Sequence, residues 1–369
     1  MNTPAAGPCA RSTGRIPVWM WLVWALAVAA PQVRAQTSAQ AAGADCRTIK
    51  NDLDRLACYD LASGRESSPE ISVPVAAPVL PATQQPRLDP DALRQRSSRS
   101  TLTSRWDLDG GTADDGLFVP RIYKPVYLMA AMYTDHVNRA PSSPGVGTSV
   151  SSPVDLSATE AKFQFSLKTK VARDLFGSRV ALWAGYTQSS RWQAFNAALS
   201  RPFRETNYEP ELMLVLPTDY QILGFTGRMA GLSLNHQSNG RSLPLSRSWN
   251  RVIAQVGLER EDWLLMLRPW WRLGASAAKD NNPDIEDHLG RGEVLIAHRW
   301  QGQVFSLLAR HTLRGGSRSR GSVEFGWSVP IVGSLKLQVQ VFSGYGESLI
   351  DYNLRQTRLG IGLAMIDWL

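Results

Sequence analysis

The chain has 369 residues, 43% of them hydrophobic and 20% charged, with a mean hydropathy of −0.20. Those averages exclude a collagen, a disulfide-dense miniprotein, a mostly disordered chain and a bundle of membrane-spanning helices. The formal charge of +8 is dispersed, with no basic block of the kind that grips nucleic acid, so no nucleic-acid partner is expected.

Arg11 and Arg15 precede an apolar run from Ile16 to Ala30, followed by Val33-Arg34-Ala35. A basic start, a short apolar stretch and small residues at −3 and −1 predict a secretory signal peptide over 1–35. The run is short for an anchor helix, which needs about 20 apolar residues. Segment 36–65 then carries Cys46 and Cys58, with helical spacing at Ile49, Leu53 and Leu56. A straight helix would hold the two sulfurs roughly 18 Å apart, beyond disulfide reach. Either the chain folds back at Asn51-Asp52, or both thiols stay free. This piece is expected to be a small helical periplasmic appendage. Residues 66–119 are rich in Pro, Ser, Ala and Gln, a composition that cannot bury enough apolar surface to order itself. They are assigned as a disordered linker.

From residue 120 to the end the pattern has period two. Phe163, Phe165 and Leu167 alternate with Lys162, Gln164, Ser166 and Lys168; Leu335, Leu337, Val339 and Val341 alternate with Lys336, Gln338 and Gln340. Twelve such segments lie near 123–135, 160–172, 178–192, 207–218, 224–239, 248–260, 263–275, 288–300, 303–314, 321–331, 335–346 and 357–368. The eighth and ninth alternate poorly. Short connections follow the even-numbered segments and long ones the odd-numbered, which is the plan of an outer-membrane barrel. Tryptophans near strand ends, including Trp192, Trp249, Trp263, Trp271, Trp300 and Trp327, form the interfacial girdle such a barrel needs. The fold class is therefore an all-β, 12-stranded antiparallel transmembrane β-barrel spanning 120–369. A soluble sandwich is the ordinary alternative, and strands of ten or more residues weigh against it.

Three polar residues fall on the apolar row of this pattern. Leu232 and Leu234 share their parity with His236 and Ser238, and Asn250 heads the row Val252, Ala254, Val256. Pairing 236 opposite 250 centres the hairpin on Leu243, so the three converge outside the barrel at its long-loop end. Residues i and i+2 on one strand lie about 7 Å apart. His236 can thus act as general base for a Ser238 nucleophile while Asn250 fixes the ring's tautomer. A structural histidine is the ordinary reading for His136, His288, His298 and His311. It competes poorly at His236, because polar groups on a lipid-facing row are costly. Gln188 shares the row of Leu182, Ala184 and Tyr186, where a lone amide needs a partner; a lumen position is its alternative.

The runs FRETNYEPEL (203–212), NHQSNGRS and SRSWNR (235–242 and 246–251), NNPDI (281–285) and SGYGESLIDYN (343–353) resemble the signatures of the outer membrane phospholipase A family. They follow in order over roughly 120–369; nothing in the family pattern accounts for 36–119. The resemblance implies a calcium-dependent A1/A2-type esterase acting on membrane phospholipids and lysophospholipids, monomeric at rest and active as a homodimer, in the bacterial outer membrane with its site on the outer-leaflet side. It implies the same three catalytic residues: Ser238, His236 and Asn250. It further implies that calcium is held by the Arg241 carbonyl, the Ser246 hydroxyl and the carbonyl of a partner's Ser200, and that Gln188 lies in the dimer interface. Leu243 and Gln237 stand where members carry acidic residues, which implies a weaker calcium site. The competing class is a non-catalytic barrel, a narrow channel or scaffold, whose lumen rows would hold Arg268, Arg272, Lys336, Gln338, Gln340 and Glu324.

Overall fold

The computed structural model describes residues 46–63, 100–109, 116–274, 276 and 280–369. The expected signal peptide and most of the expected linker lie outside the described residues. The chain divides into two units, 1–87 and 88–369.

In the first unit a 3-10 turn at Cys46–Thr48 is followed by helix α1, Asp52–Ala62. The helical path is broken between them, and the fold-back brings the Cα atoms of Cys46 and Cys58 to 5.7 Å in a disulfide. Of the two sequence alternatives, the folded-back one is realised.

The second unit is a closed barrel. Its strands are β1 (Arg121–Ile122), β2 (Val126–Thr134), β3 (Thr159–Leu175), β4 (Val180–Trp192), β5 (Phe203–Ile222), β6 (Phe225–Ser238), β7 (Ser248–Arg260), β8 (Trp263–Leu273), β9 (Gly292–Trp300), β10 (Gln303–His311), β11 (Gly321–Val332), β12 (Leu335–Gly344) and β13 (Gln356–Ile366). β1 and β2 both pair with β3, so they are one staircase position interrupted at Tyr123-Lys124-Pro125. Each later strand pairs antiparallel with the next, and β13 returns to β2. Twelve strand positions therefore close the circuit, as the alternation predicts.

Turns such as Leu223-Gly224 and Gln301-Gly302 have positive φ at both residues, the backbone that suits tight hairpins. The eighth predicted strand begins later than expected, because 286–289 is a short helix, α3. Gly290 ends that helix at φ +93°, and a Cβ there would lie 2.4 Å from the His311 carbonyl oxygen. Only glycine fits so close an approach.

The wall is inverted relative to a soluble protein. Leu128, Phe165, Leu212, Leu232, Leu234, Leu359 and Ile361 are exposed, while Lys162, Lys168, Arg191, Glu211, Arg268 and Arg358 are buried. A soluble sandwich would expose the charges; a barrel in lipid does the reverse. All six residues expected to line the lumen are partnered. Arg268 binds Glu211 and Glu293 at 2.7 and 2.9 Å, Arg272 binds Asp280 at 2.7 Å, and Lys336 pairs with Asp367. Gln338 meets Ser328, while Gln340 and Glu324 both meet Lys162. This cross-bonding ties the polar side chains of the lumen to one another across the strands.

The short-turn end is filled by part of the expected linker. Residues 101–106 form helix α2 (Thr101–Trp106), capped by the Ser100 hydroxyl, which accepts from the Thr103 N–H. Leu102, Trp106 and Leu108 are buried against Trp183, Met213, Met229, Leu264 and Met266. Arg105 donates to the carbonyls of Asp367 and Trp368 at 3.0 and 2.7 Å, tying α2 to the end of the chain. Composition argued against order here because the apolar surface that stabilises α2 is supplied by strands far away in sequence. Part of the span assigned as linker is thus ordered.

At the other end, Glu347 reaches into the barrel from the β12–β13 loop. Its carboxylate binds Arg191 at 3.1 Å, Arg358 at 2.7 Å and Lys162 at 3.1 Å. Burial alone would raise this carboxyl's pKa, but Arg191, Arg358 and Lys162 together hold it well below the usual range. A depressed folded-state pKa stabilises the fold above the ordinary carboxylate range, and that contribution is lost as pH falls through the folded value. Glu347→Gln leaves three buried cations under-compensated and should cost about 3–5 kcal/mol at neutral pH. The gap in unfolding temperature between the two proteins should narrow on acidification below the ordinary carboxylate range. Thermal unfolding in detergent across pH checks both.

Candidate active site

The β6–β7 hairpin carries the three polar residues on its outer face. Its register puts His236 opposite Asn250 and Ser238 opposite Ser248, which centres the turn on Leu243 as expected. Leu232 and Leu234, in the same row as His236 and Ser238, are 54% and 55% exposed, so this row faces lipid.

His236 Nδ1 and Asn250 Oδ1 are 2.7 Å apart. A carboxamide oxygen can only accept, so Nδ1 carries the proton and the neutral ring's lone pair is left on Nε2. That is the tautomer a general base for a neighbouring hydroxyl requires. Ser238 lies two residues further along the same row; among the described residues its hydroxyl makes no hydrogen bond to the ring. Such contacts commonly tighten only when substrate is bound.

The loop between the strands is held from inside by Asn239, a residue the sequence reading did not single out. Its Oδ1 accepts from the backbone N–H groups of Arg241 and Arg247 at 3.3 and 3.0 Å, and its Nδ2 donates to the Leu245 carbonyl at 2.8 Å. Arg247, fully buried, donates to the carbonyls of Pro244, Ser246 and Thr148. The 280–285 loop supports the same segment. Asn281 donates to the Ser246 hydroxyl at 2.8 Å, and Asn282 Oδ1 accepts from the Ser248 N–H at 2.9 Å. Tyr352 braces that loop through Asp284 and Ser143, and burial, with the Asp284 bond, pushes its phenol pKa up. The sequence signal for Asn239, Arg247, Asn281, Asn282 and Tyr352 was their place in the quoted runs, because strand parity says nothing of loop contacts.

The expected metal ligands are brought together only in part. Arg241 and Ser246 share the Asn239-braced loop, whereas Ser200 sits on the β4–β5 loop, just after a 3-10 turn at Ala197–Leu199. Ser200 forms no hydrogen bond to either within one chain among the described residues. The Arg241 carbonyl accepts no hydrogen bond there, and Ser246 Oγ receives one N–H and keeps a lone pair. Free, hard, neutral oxygens suit calcium. Two from one chain are too few for its 6–8 ligands, so the set fits calcium if water and a second chain complete it. Among the described residues no cluster of three acidic, histidine or cysteine side chains offers an alternative metal centre.

Gln188 lies on the outer row of β4, opposite Phe165 of β3 and Tyr208 of β5. It is half-buried, and its Oε1 accepts from the Tyr186 hydroxyl at 3.0 Å. The lumen alternative is thereby excluded.

A family model for phospholipase A1 matches residues 102–365. The chain belongs to the phospholipase A1 family. It is 39% identical to a putative phospholipase A1 of Neisseria meningitidis serogroup B, over 87% of this chain and 90% of that one. It is 44% identical to the phospholipase A1 of Escherichia coli K12 over 56% of this chain and 70% of that one. The E. coli outer membrane phospholipase A structure superposes with a TM-score of 0.61 at 38% identity, covering 69% of this chain and 95% of that one. A Salmonella typhi outer membrane phospholipase dimer with bound calcium gives 0.60 at 38% identity, covering 68% and 93%. The chain is therefore a phospholipase and an outer-membrane β-barrel protein. A match over 87% of the chain is longer than the barrel alone, so part of the segment before residue 120 also matches that Neisseria relative.

The bracing by Asn239 has a measurable consequence. Asn239→Ala leaves the Arg241 and Arg247 N–H groups without their acceptor, at about 1–3 kcal/mol for a buried unsatisfied group. Amide exchange across 240–247 should accelerate by at least about tenfold, while exchange in β6 and β7 below the site stays slow.

Proposed function

We propose that the chain is a calcium-dependent hydrolase of phospholipid and lysophospholipid acyl esters, working through Ser238, His236 and Asn250 and activated by dimerisation. The observation that carries this is the 2.7 Å His236–Asn250 bond on a row that otherwise faces lipid. A substrate moving in the plane of the membrane reaches that row without entering a pocket.

In this reading His236 Nε2 takes the Ser238 proton as Oγ bonds to the ester carbonyl carbon, and the C=O electron pair moves onto oxygen. The intermediate collapses, the ester C–O bond breaks, and the proton passes from His236 to the departing glycerol oxygen. Water then attacks the acyl-serine, His236 accepts its proton and returns it to Ser238 Oγ, and a free fatty acid leaves. Asn250 keeps the ring in its working tautomer throughout. Calcium held by the Arg241 carbonyl, Ser246 Oγ and the partner's Ser200 would supply positive charge to the developing oxyanion.

Support for a dimer comes from the Salmonella relative, a dimer with bound calcium, and from the incomplete oxygen set of a single chain. Gln188 offers one contact across such an interface, since an amide on a lipid-facing row can bond its own copy.

Fatty-acid release from detergent-mixed phospholipid tests the reading. Wild type should be active with calcium and silent with chelator, Ser238→Ala should be inactive, and His236→Ala should fall about 10²–10⁴-fold. Turnover that survives either chelation or Ser238→Ala contradicts it. Gln188→Ala should weaken the dimer by about 0.6–2 kcal/mol, read as a shift in the monomer–dimer equilibrium by analytical ultracentrifugation in detergent.

A further inference from the structure

The face of the catalytic hairpin turned away from lipid carries a second set of polar contacts that the chemistry above does not use. Between His236 and Ser238 stands Gln237, and opposite it, between Ser248 and Asn250, stands Trp249. The two point inward. Trp249 is 2% exposed, and its indole N–H donates to Gln237 Oε1 at 2.8 Å. One step along the same face the pattern repeats with Asn235 opposite Arg251, whose Nη2 donates to Asn235 Oδ1 at 2.6 Å. The Arg251 guanidinium also covers the Trp249 ring at 4.1 Å and the Trp270 ring at 5.2 Å, while Trp249 and Trp270 meet edge to face at 6.2 Å. Glu209 holds the guanidinium from β5 at 3.1 Å.

We infer that Gln237 and Trp249 are positioning residues for the reaction. Their side-chain bond, seated on the Arg251–Trp270 stack, fixes β6 against β7 immediately behind His236 and Asn250. The inference rests on the catalytic reading above and deepens it.

A triad on a lipid-facing wall has to be held in place by the strands that carry it. Among the described residues of one chain, the His236 and Asn250 side chains hydrogen-bond to each other and to nothing else on the outer face, and acyl chains offer neither rigid packing nor hydrogen bonds. Their separation is therefore set by the backbones that carry them, at the open end of a hairpin whose loop runs from 239 to 247. Backbone ladders fix register but leave shear and twist soft near a strand end. An indole N–H to carboxamide bond adds a directional constraint at the cross-strand step between His236–Asn250 and Ser238–Ser248. The indole is itself clamped by the Arg251 cation and by Trp270, so the constraint is anchored to β8 as well. Gln237 suits this task because its side-chain oxygen is a directional acceptor for the indole N–H.

Kinetics on the full-length protein in detergent-mixed phospholipid with saturating calcium test the inference. Trp249→Phe keeps a ring for Arg251 and removes the donor; Gln237→Leu removes the acceptor; Gln237→Glu keeps it. Small misplacements of catalytic groups can cost up to about 10²-fold, so each of the first two variants should lose roughly 10- to 100-fold in kcat with KM within about twofold. Gln237→Glu should recover most of the rate. The Trp249→Phe/Gln237→Leu double variant should be no more than about twofold worse than the poorer single variant, because both remove one interaction. Unfolding temperature, recorded for each variant, separates a positioning loss from a folding loss. Wild-type kcat in both single variants, losses that multiply in the double variant, or no recovery with Gln237→Glu would overturn the inference. A Ser238→Ala protein that still turns over defeats the catalytic reading itself; an inactive Ser238→Ala protein beside a fully active Trp249→Phe protein defeats the positioning role alone.

Discussion

Hydrocarbon offers no hydrogen bonds, so in a membrane wall each polar group either finds a protein partner or carries several kcal/mol of penalty. That constraint organises this molecule. The backbone meets it by closing twelve strand positions into a circuit with no free edge. The lumen meets it by pairing its charges, as with Arg268 between Glu211 and Glu293, or Glu347 among Arg191, Arg358 and Lys162. The outer wall meets it by being apolar almost everywhere. His236, Ser238, Asn250 and Gln188 are departures from that rule, and each calls for a partner or a purpose. His236 and Asn250 have each other; Gln188 has Tyr186 and a face toward lipid.

The buried charges also link the interior to the site. Glu347 draws the 345–355 loop into the mouth of the barrel, and Arg204 extends the cluster by binding Glu160 at 2.8 Å and Asp351 at 2.6 Å. Next to Arg204 stands Glu205, whose carboxylate accepts from the Ile350 N–H and from Asn239 Nδ2. Asn239 in turn shapes the loop that holds Arg241 and Ser246. Arg191, which binds Glu347, also donates to Asn207, and Asn207 donates to Glu205, so hydrogen bonds run from the lumen to the segment where calcium ligands are proposed. The proposed lipid-facing site is thus braced from within the barrel.

Much of this was legible in the chain because a barrel writes its two faces into alternate residues. The strand rows around 163–167 and 335–341, the His236–Asn250 register and the outward position of Gln188 all follow from parity. Parity was weakest where the physics differs. Residues 286–289 turn into helix α3 under the constraint of Gly290, and β10 ends at His311, before Leu313 takes a positive φ. Helix α2 escaped notice because its Leu102 and Trp106 are sparse apolar residues in a polar stretch, and their partners lie on strands up to two hundred positions away. Parity did not reveal the supports of the site either. Asn281 and Asn282 reach Ser246 and Ser248 from another loop, and Asn239 bonds backbone groups of its own loop, contacts that strand alternation does not encode.

The proposed nucleophile, Ser238, sits on the lipid-facing wall and is activated there by His236. Labelling the protein in lipid bilayers with a long-chain alkyl fluorophosphonate, then locating the adduct by peptide mass spectrometry, tests it most directly. A single adduct is expected, on Ser238, formed in wild type and lost in His236→Ala. An adduct on another residue, or equal labelling of Ser238 without His236, would contradict it.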